Sequence, residues 1–417
     1  MTLLNDLEAL PFDIRATPAT GSYAEEPRGR FESTNGVVAA PADTDGVAAV
    51  VKYANAHGIA VVPYSGGTGL VGGQVAQTQT DHIVLSTHRM IKLRALDAEN
   101  ATMTVDAGMI LADVHSTAAD ADTLFPLSLA AEGSARIGGI LATNAGGVNV
   151  LRYGNARDLC LGLEVVMADG SIWNGLSGLR KDNTGYDLRH LMIGSEGSLG
   201  IITAATLRLF PNPRTRGTAM FAVPSAEAAL HLLRQARGQF GETVSAFELI
   251  HRRSFEFLSE AMPDVRLPFA DFPVWAVLLD VANQSDQPLT DAIGAFFETA
   301  FDAGLVSDAV LAQSDTQRTE LWSVREHIPL ANRAIGAVSS HDISVPVSSI
   351  PAFIEQAGQA IASLGPMRVN CFGHVGDGNL HYNIFPDAGK TRDDYDHLRG
   401  DIKRTVHDIV HSFQGSV

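Results

Sequence analysis

Two histidines and an asparagine in the run His374-Val-Gly-Asp-Gly-Asn-Leu-His-Tyr-Asn383 are the side chains best suited to chemistry in this chain. Asp377-Gly378 is the dipeptide that a two-residue type I′ turn prefers, because both central positions need φ > 0. A hairpin folded about that turn sets His374 directly opposite His381, with Cβ atoms about 4.5–5.5 Å apart, close enough for two imidazoles to chelate one metal ion. Asn383 shares the face of His381, since strand side chains alternate. The alternative is a pair of ordinary strand histidines, for which the flanking Gly373, Gly376 and Gly378 provide little side-chain mass to pack. Two imidazoles fall short of the three protein ligands that a catalytic zinc normally takes.

A second candidate is Arg325. The segment Leu321-Trp-Ser-Val-Arg-Glu-His-Ile328 predicts a helix whose Leu321, Val324 and Ile328 form an apolar stripe, and Arg325 lies on that stripe. A guanidinium is costly to bury unless paired, and its planar fork suits a carboxylate, from a ligand or from an internal Asp or Glu.

Three glycine clusters come earlier: Pro63-Tyr-Ser-Gly-Gly-Thr-Gly-Leu-Val-Gly-Gly73, Gly133 to Gly139 running on to Thr143-Asn-Ala-Gly-Gly147, and Gly194-Ser-Glu-Gly-Ser-Leu-Gly200. Glycine lets backbone approach a ligand closely and turns N–H groups toward phosphate. Gly67 to Gly72 match GxGxxG, but Gln74 to Asp81 show no amphipathic helix to receive a pyrophosphate, which excludes the Rossmann reading. No Gly-Lys-Ser/Thr occurs there, so a Walker A loop is excluded as well. The remaining reading is a long ligand with a diphosphate, held by backbone.

These residues need a scaffold, and 417 residues suffice for two or three domains. Val37 to Ala40, a helix capped by Asp43 and ended by Gly58, and Ile59 to Val62 predict a β-α-β unit. Further strands are expected at 83–85, 101–106, 162–168 and 199–210, with a helix at 110–121. Pro211-Asn-Pro213 marks a boundary. Beyond it, strands at 216–223, 243–250 and 274–280 and helices from Ser225 and over 286–303 predict a sheet covered by helices on one side, followed by a helix from Thr391 to Ser412. The formal charge of −17 argues against nucleic acid or an anionic membrane as partner. No apolar run is long enough for a membrane span, and Cys160 and Cys371 form no CxxC motif, so a cytoplasmic protein is expected.

PYSGGTGLVGG, ATNAGG, YGNARDLCLGLEVVMADG and GYDLRHLMIGSEGSLGIIT together resemble the PCMH-type FAD-binding domain of the vanillyl-alcohol oxidase and p-cresol methylhydroxylase superfamily. GHVGDGNLHYN narrows the resemblance to its FAD-linked D-2-hydroxyacid dehydrogenase branch, which includes D-lactate, glycolate and D-2-hydroxyglutarate dehydrogenases. The resemblance implies an α+β fold: an N-terminal segment (1–33), an FAD-binding domain of two α/β subdomains (34–213), and an FAD-linked oxidase C-terminal domain with an antiparallel sheet and covering helices (214–417). It implies that Pro63, Ser65, Gly66, Gly67, Thr68, Gly69 and Leu70 wrap the FAD pyrophosphate. Gly133, Ser134, Gly138, Gly139, Thr143, Asn144, Gly146 and Gly147 would line the flavin side, and Glu196, Gly197, Gly200 and Ile202 would close over the cofactor. Relatives with covalent flavin usually carry a histidine where Thr68 stands, so non-covalent FAD is expected.

The same resemblance implies oxidation of a D-2-hydroxy acid to the 2-keto acid by hydride transfer to flavin N5. Arg325 would grip the substrate carboxylate, Asn383 would orient it, and His374 and His381 would hold a divalent metal such as zinc. Electrons would pass to an electron-transfer flavoprotein, a quinone or a cytochrome, and a homodimer is one assembly left open. Ser340-His-Asp-Ile-Ser-Val-Pro346 departs from the KxDxSxP segment of the hydroxyglutarate branch by placing Ser340 where the lysine for the distal carboxylate would stand, and Pro329 replaces a substrate-binding threonine. A smaller or uncharged tail, as in lactate, fits as well. The family's SAEHGIG-like segment, bearing a third metal ligand and a histidine base, would begin where Gly415-Ser-Val417 ends the sequence. A fragment of a longer protein is therefore expected, with a natural truncation as the alternative and His341 as the first substitute base to consider. Two other functions stay open: a non-catalytic or partner-dependent flavoprotein subunit, and a metal-dependent hydrolase.

Overall fold

Where residues 36–64 alternate strand and amphipathic helix, the chain forms a parallel β-α-β unit. Gly36–Pro41 and Ala60–Tyr64 both pair in parallel with His82–Ser86, and the helix Thr44–His57 connects the first two strands. The Asp43 carboxylate accepts from the Gly46 N–H at 2.9 Å, and Gly58, at φ +64°, ends the helix in the left-handed conformation. Val47, Val50, Val51 and Ala54 bury the apolar stripe against this sheet, which Ile14–Pro18 extends by antiparallel pairing.

A second sheet is antiparallel, with the order Leu93–Asp97, Thr102–Asp106, Gly200–Arg208, Cys160–Met167 and Ile172–Gly175. The helices Leu111–Asp120 and Ile137–Ala142 pack into its core through Leu111, Val114, Ile137 and Ile140. The two sheets belong to one compact unit, Met1–Gly147 with Tyr153–Asn212; Val148–Arg152 and Pro213–Val417 form a second. The computed structural model describes residues 2–78 and 80–417, and Met1 and Gln79 lie outside the described residues.

The second unit is built on a seven-stranded antiparallel sheet. Its order is Asp308–Leu311, Thr215–Val223, Trp275–Asn283, Val244–His251, Met367–His374, Asn379–Pro386 and Ser339–Ser344. Helices cover both faces, not one. Ala226–Phe240, Thr290–Asp302, Ile350–Leu364 and Arg399–Ser412 pack with Val277, Leu279 and Tyr382 on one face. Arg252–Ala261 and Asp315–Ile335 pack with Ala276, Leu278 and Phe372 on the other. The physical reason is legible in Trp275 to Val281, where both alternating sets are largely apolar, as a strand buried on two sides requires. The expected helix from Thr391 is also corrected. Arg392–Leu398 is a 3-10 segment, pinned by the Tyr395 hydroxyl donating to Pro366 O at 2.7 Å, and the α-helix starts at Arg399.

Candidate functional site

In the first unit, the three glycine clusters converge on one cleft of about 1060 Å³, counting its part open to solvent. Pro63, Ser65, Gly66, Gly67, Thr68, Gly69, Gly138, Gly139, Thr143, Glu196, Gly197, Gly200 and Ile202 line it. Ser65 Oγ accepts from the Gly139 N–H at 3.0 Å, which joins the first cluster to the second. The third is stapled to the second by Gly194 N–H to Leu141 O at 3.1 Å and Glu196 N–H to Ala142 O at 2.9 Å. A Cβ on Gly66 would lie 2.5 Å from Ser134 O, so only glycine lets these loops approach so closely.

Six expected cofactor residues do not line this cleft: Leu70, Gly133, Ser134, Asn144, Gly146 and Gly147. Some have a clear packing role. The Asn144 side chain accepts from Arg157 N–H at 3.0 Å in a left-handed turn, and a Cβ on Gly147 would stand 1.9 Å from Ser128 O. Leu129, Ala131, Arg136 and Gln74 line the cleft without having been singled out from sequence.

In the second unit, the hairpin register differs from the expected one. His381 pairs with Phe372, and Asn383 with Asn370, so His374 is the diagonal neighbour of His381. The turn is not type I′, because Asp377 does not have positive φ. Gly373 takes φ +150°, a conformation suited to glycine, and Gly378 O accepts from Val345 N–H at 3.1 Å, drawing the turn toward the neighbouring chain. An even slip in register preserves the face, so the two imidazoles still meet, with ring centroids 5.8 Å apart.

Glu248, which sequence reading did not single out, organises this face. It pairs across the sheet with His374 and is fully buried. Its Oε1 lies 2.6 Å from His374 Nδ1, and its Oε2 accepts from Arg325 Nε at 2.7 Å. Arg325 thus has an internal carboxylate partner, yet its two terminal nitrogens make no hydrogen bond with other described residues. Its guanidinium lies 4.8 Å from the centroid of the Phe372 ring, and the His381 ring packs against the same phenyl at 4.8 Å. Asp342 Oδ1 is 3.5 Å from His381 Nδ1, and Asn383 Oδ1 accepts from His341 N–H at 3.3 Å.

Burial alone would raise the Glu248 carboxyl, but His374 and Arg325 outweigh it and hold the group at about 2. Burial would lower His374; Glu248 outweighs that and raises it. His381 is pushed down to about 4 by burial, against the opposing pull of Asp342, and is neutral near pH 7. His341 is excluded as a substitute base beside His381. It alternates with Ser340 and Asp342 along its strand and packs on the opposite face, with its ring 5.3 Å from that of His407.

Residues 36–175 match the family described as FAD binding domain, and residues 212–417 match FAD linked oxidases, C-terminal domain. A D-2-hydroxyglutarate dehydrogenase of Xanthomonas citri pv. viticola is 38% identical over 381 residues, covering 91% of this chain and 79% of that protein. The chain belongs to the FAD-linked D-2-hydroxyacid dehydrogenase family. A mitochondrial D-2-hydroxyglutarate dehydrogenase of Danio rerio is 36% identical across 93% of this chain and 70% of its own length. Rice relatives at 37% identity are longer, and the chain spans 63% of their length. The solved structure of p-cresol methylhydroxylase with substrate bound shares the fold, with a TM-score of 0.70 at 15% identity over 95% of this chain and 81% of that one.

The first-unit cleft fits the family's cofactor. The backbone N–H groups of Gly66 to Gly69 have no acceptor among the described residues, which suits a diphosphate that accepts from them. The histidine pair fits a metal in kind. Each Nδ1 faces a carboxylate, the arrangement that orients ligating imidazoles and leaves Nε2 available. In number it supplies two ligands, and no group of three metal-binding His, Cys, Asp or Glu occurs among the described residues. A buried glutamate inside the apolar run Val244-Ser-Ala-Phe-Glu-Leu-Ile250 was the signal that could have revealed Glu248, since a buried carboxylate must find partners.

Proposed function

We propose that this chain oxidises a D-2-hydroxy acid to the 2-keto acid, with two electrons passing to FAD and then to a separate acceptor. The observation that carries this reading is Arg325, a nearly buried guanidinium held at Nε by Glu248, with both terminal nitrogens unpaired among the described residues, beside two imidazoles. That free fork matches a substrate carboxylate. The Asn383 carbonyl oxygen is occupied by His341 N–H, so its amide nitrogen is the group left to donate to a substrate oxygen. His381, neutral near pH 7, presents Nε2 as a lone-pair donor and is a weak base there.

Bound FAD supplies the hydride acceptor, and this chain's residues supply orientation. A divalent cation held by His374 and His381, with other positions left to substrate and water, would act as Lewis acid on the hydroxyl. The family match favours this reading over a metal-dependent hydrolase, which would be colourless. Anaerobic addition of D-lactate or D-2-hydroxyglutarate to the purified yellow protein is expected to bleach its flavin, while the L-enantiomers do not. A flavin that stays oxidised with every D-2-hydroxy acid would leave only a non-catalytic flavoprotein.

Ser340 favours a second, narrower reading of the substrate. It is exposed on the face of His381 and Asn383 and brings no cation there. We infer that a short or uncharged tail is accepted in preference to a second carboxylate, although the relatives above are named for hydroxyglutarate.

A further inference from the structure

We propose that Glu248 is a positioning residue that sets two working groups with one carboxylate: it aims the Arg325 fork at the substrate and fixes which nitrogen His374 offers to a metal. The inference rests on the D-2-hydroxyacid reading above and extends it to a residue on a different strand. Glu248 stands on the interior strand Val244–His251, directly opposite His374, while Arg325 arrives from the helix Asp315–Ile335 packed over that face.

A carboxylate at this depth needs both partners, and both of its oxygens are used, at 2.6 Å to His374 Nδ1 and 2.7 Å to Arg325 Nε. Each contact selects an orientation. With Nε engaged, the guanidinium retains its paired terminal nitrogens for an end-on, bidentate contact with an anion. With Nδ1 engaged, the imidazole retains Nε2 as its ligating atom, the role that a carboxylate behind a metal-bound histidine usually performs. Phe372 completes the arrangement by supporting the Arg325 guanidinium on its ring face.

Glu248→Gln keeps the size of the side chain but removes one acceptor, so it cannot accept from Arg325 and His374 together. If the amide nitrogen donates to His374 Nδ1, the ring proton moves to Nε2, which is then the wrong tautomer for a metal. The expected result is an unchanged FAD content, with Zn²⁺ affinity, read by competition with a chelating dye, falling about 10- to 100-fold. For D-lactate or D-2-hydroxyglutarate, whichever is turned over faster, KM should rise by about tenfold or more and kcat should change less. His374→Ala and Arg325→Lys, assayed in parallel, report the metal half and the substrate half separately.

If Glu248→Gln retains wild-type Zn²⁺ affinity and KM while those two variants lose them, the positioning role is overturned and the dehydrogenase reading stands. If the wild-type protein neither binds Zn²⁺ nor is reduced by any D-2-hydroxy acid, the dehydrogenase reading fails and the role of Glu248 falls with it. Should Glu248→Gln not fold, the double variant Glu248→Gln/Arg325→Met removes the unpaired charge and reads the histidine half alone. There, weakened Zn²⁺ binding supports the proposal and wild-type affinity overturns it.

Discussion

Ser340 stands directly opposite Asn383 in the pairing of the edge strand Ser339–Ser344 with Asn379–Pro386. Both share the face that carries His381, because Asp342, two residues along, pairs with His381. A cation at position 340 would therefore face the same surface as the proposed substrate site. The hydroxyglutarate branch that this segment resembles carries lysine there. Ser340→Lys is expected to raise the kcat/KM ratio of D-2-hydroxyglutarate over D-lactate by roughly 10- to 100-fold, the worth of one charge-assisted hydrogen bond. An unchanged ratio would show that the substrate tail does not reach this strand.

Arg325→Lys separates fork from charge. An ammonium keeps the positive charge opposite Glu248 but cannot reproduce a bidentate contact, so kcat/KM for the hydroxy acid should fall about 10- to 100-fold with little loss of stability. Arg325→Ala should behave differently. It leaves Glu248 fully buried beside His374 alone, and breaking a buried pair costs about 3–5 kcal/mol. Thermal unfolding of both variants beside their kinetics checks this, and wild-type turnover in Arg325→Lys would make the residue purely structural.

The cofactor should be bound by shape and hydrogen bonds. Thr68 lines the cleft where relatives with covalent flavin carry histidine, so acid precipitation is expected to release the FAD into the supernatant. Gly66→Ala places a methyl 2.5 Å from Ser134 O and 3.1 Å from Arg136 N, both backbone atoms that cannot rotate away. Such overpacking should lower FAD affinity by about tenfold or more. Flavin absorbance per chain after gel filtration reads both results, and colour retained on the acid pellet would contradict the first.

Local chemistry was legible in the sequence wherever one residue type has one cause. Asp43 and Gly58 bound their helix because a cap and a left-handed residue are needed there, and the glycine clusters converge because few other residues permit such backbone contacts. The face shared by His374 and His381 followed from alternation alone. Their register did not, since Gly373 adopts an unusual extended conformation that no local pattern announces. Glu248 was hidden for a different reason: its partners lie 77 and 126 residues away, and only the folded sheet brings them together. The second helical layer was legible only in part: Trp275 to Val281 is apolar on both alternating sets, but which helices cover each face is decided by contacts distant in sequence.

Acid sensitivity is expected from His341, on the opposite face of the same sheet. Burial, helped by the positive charge of His407 and Lys403, lowers it to about 4, and its Nε2 has no hydrogen-bond partner among the described residues. The sign follows from proton counting. Between about 4 and the ordinary value of 6.5 the unfolded chain binds the proton and the folded one does not, so stability rises with pH across that window. The contribution is complete above about pH 6.5 and is lost as pH falls toward about 4, on the order of 3 kcal/mol in all. His341→Phe keeps an aromatic ring against His407 and removes the titration. Its urea midpoint, followed by tryptophan fluorescence, should fall less between about pH 7 and about pH 5 than that of the wild type. Some slope will remain, because His251 and His381 are also lowered to about 4. Parallel pH profiles for variant and wild type would mean that His341 is protonated in the folded protein, with a partner found for its Nε2.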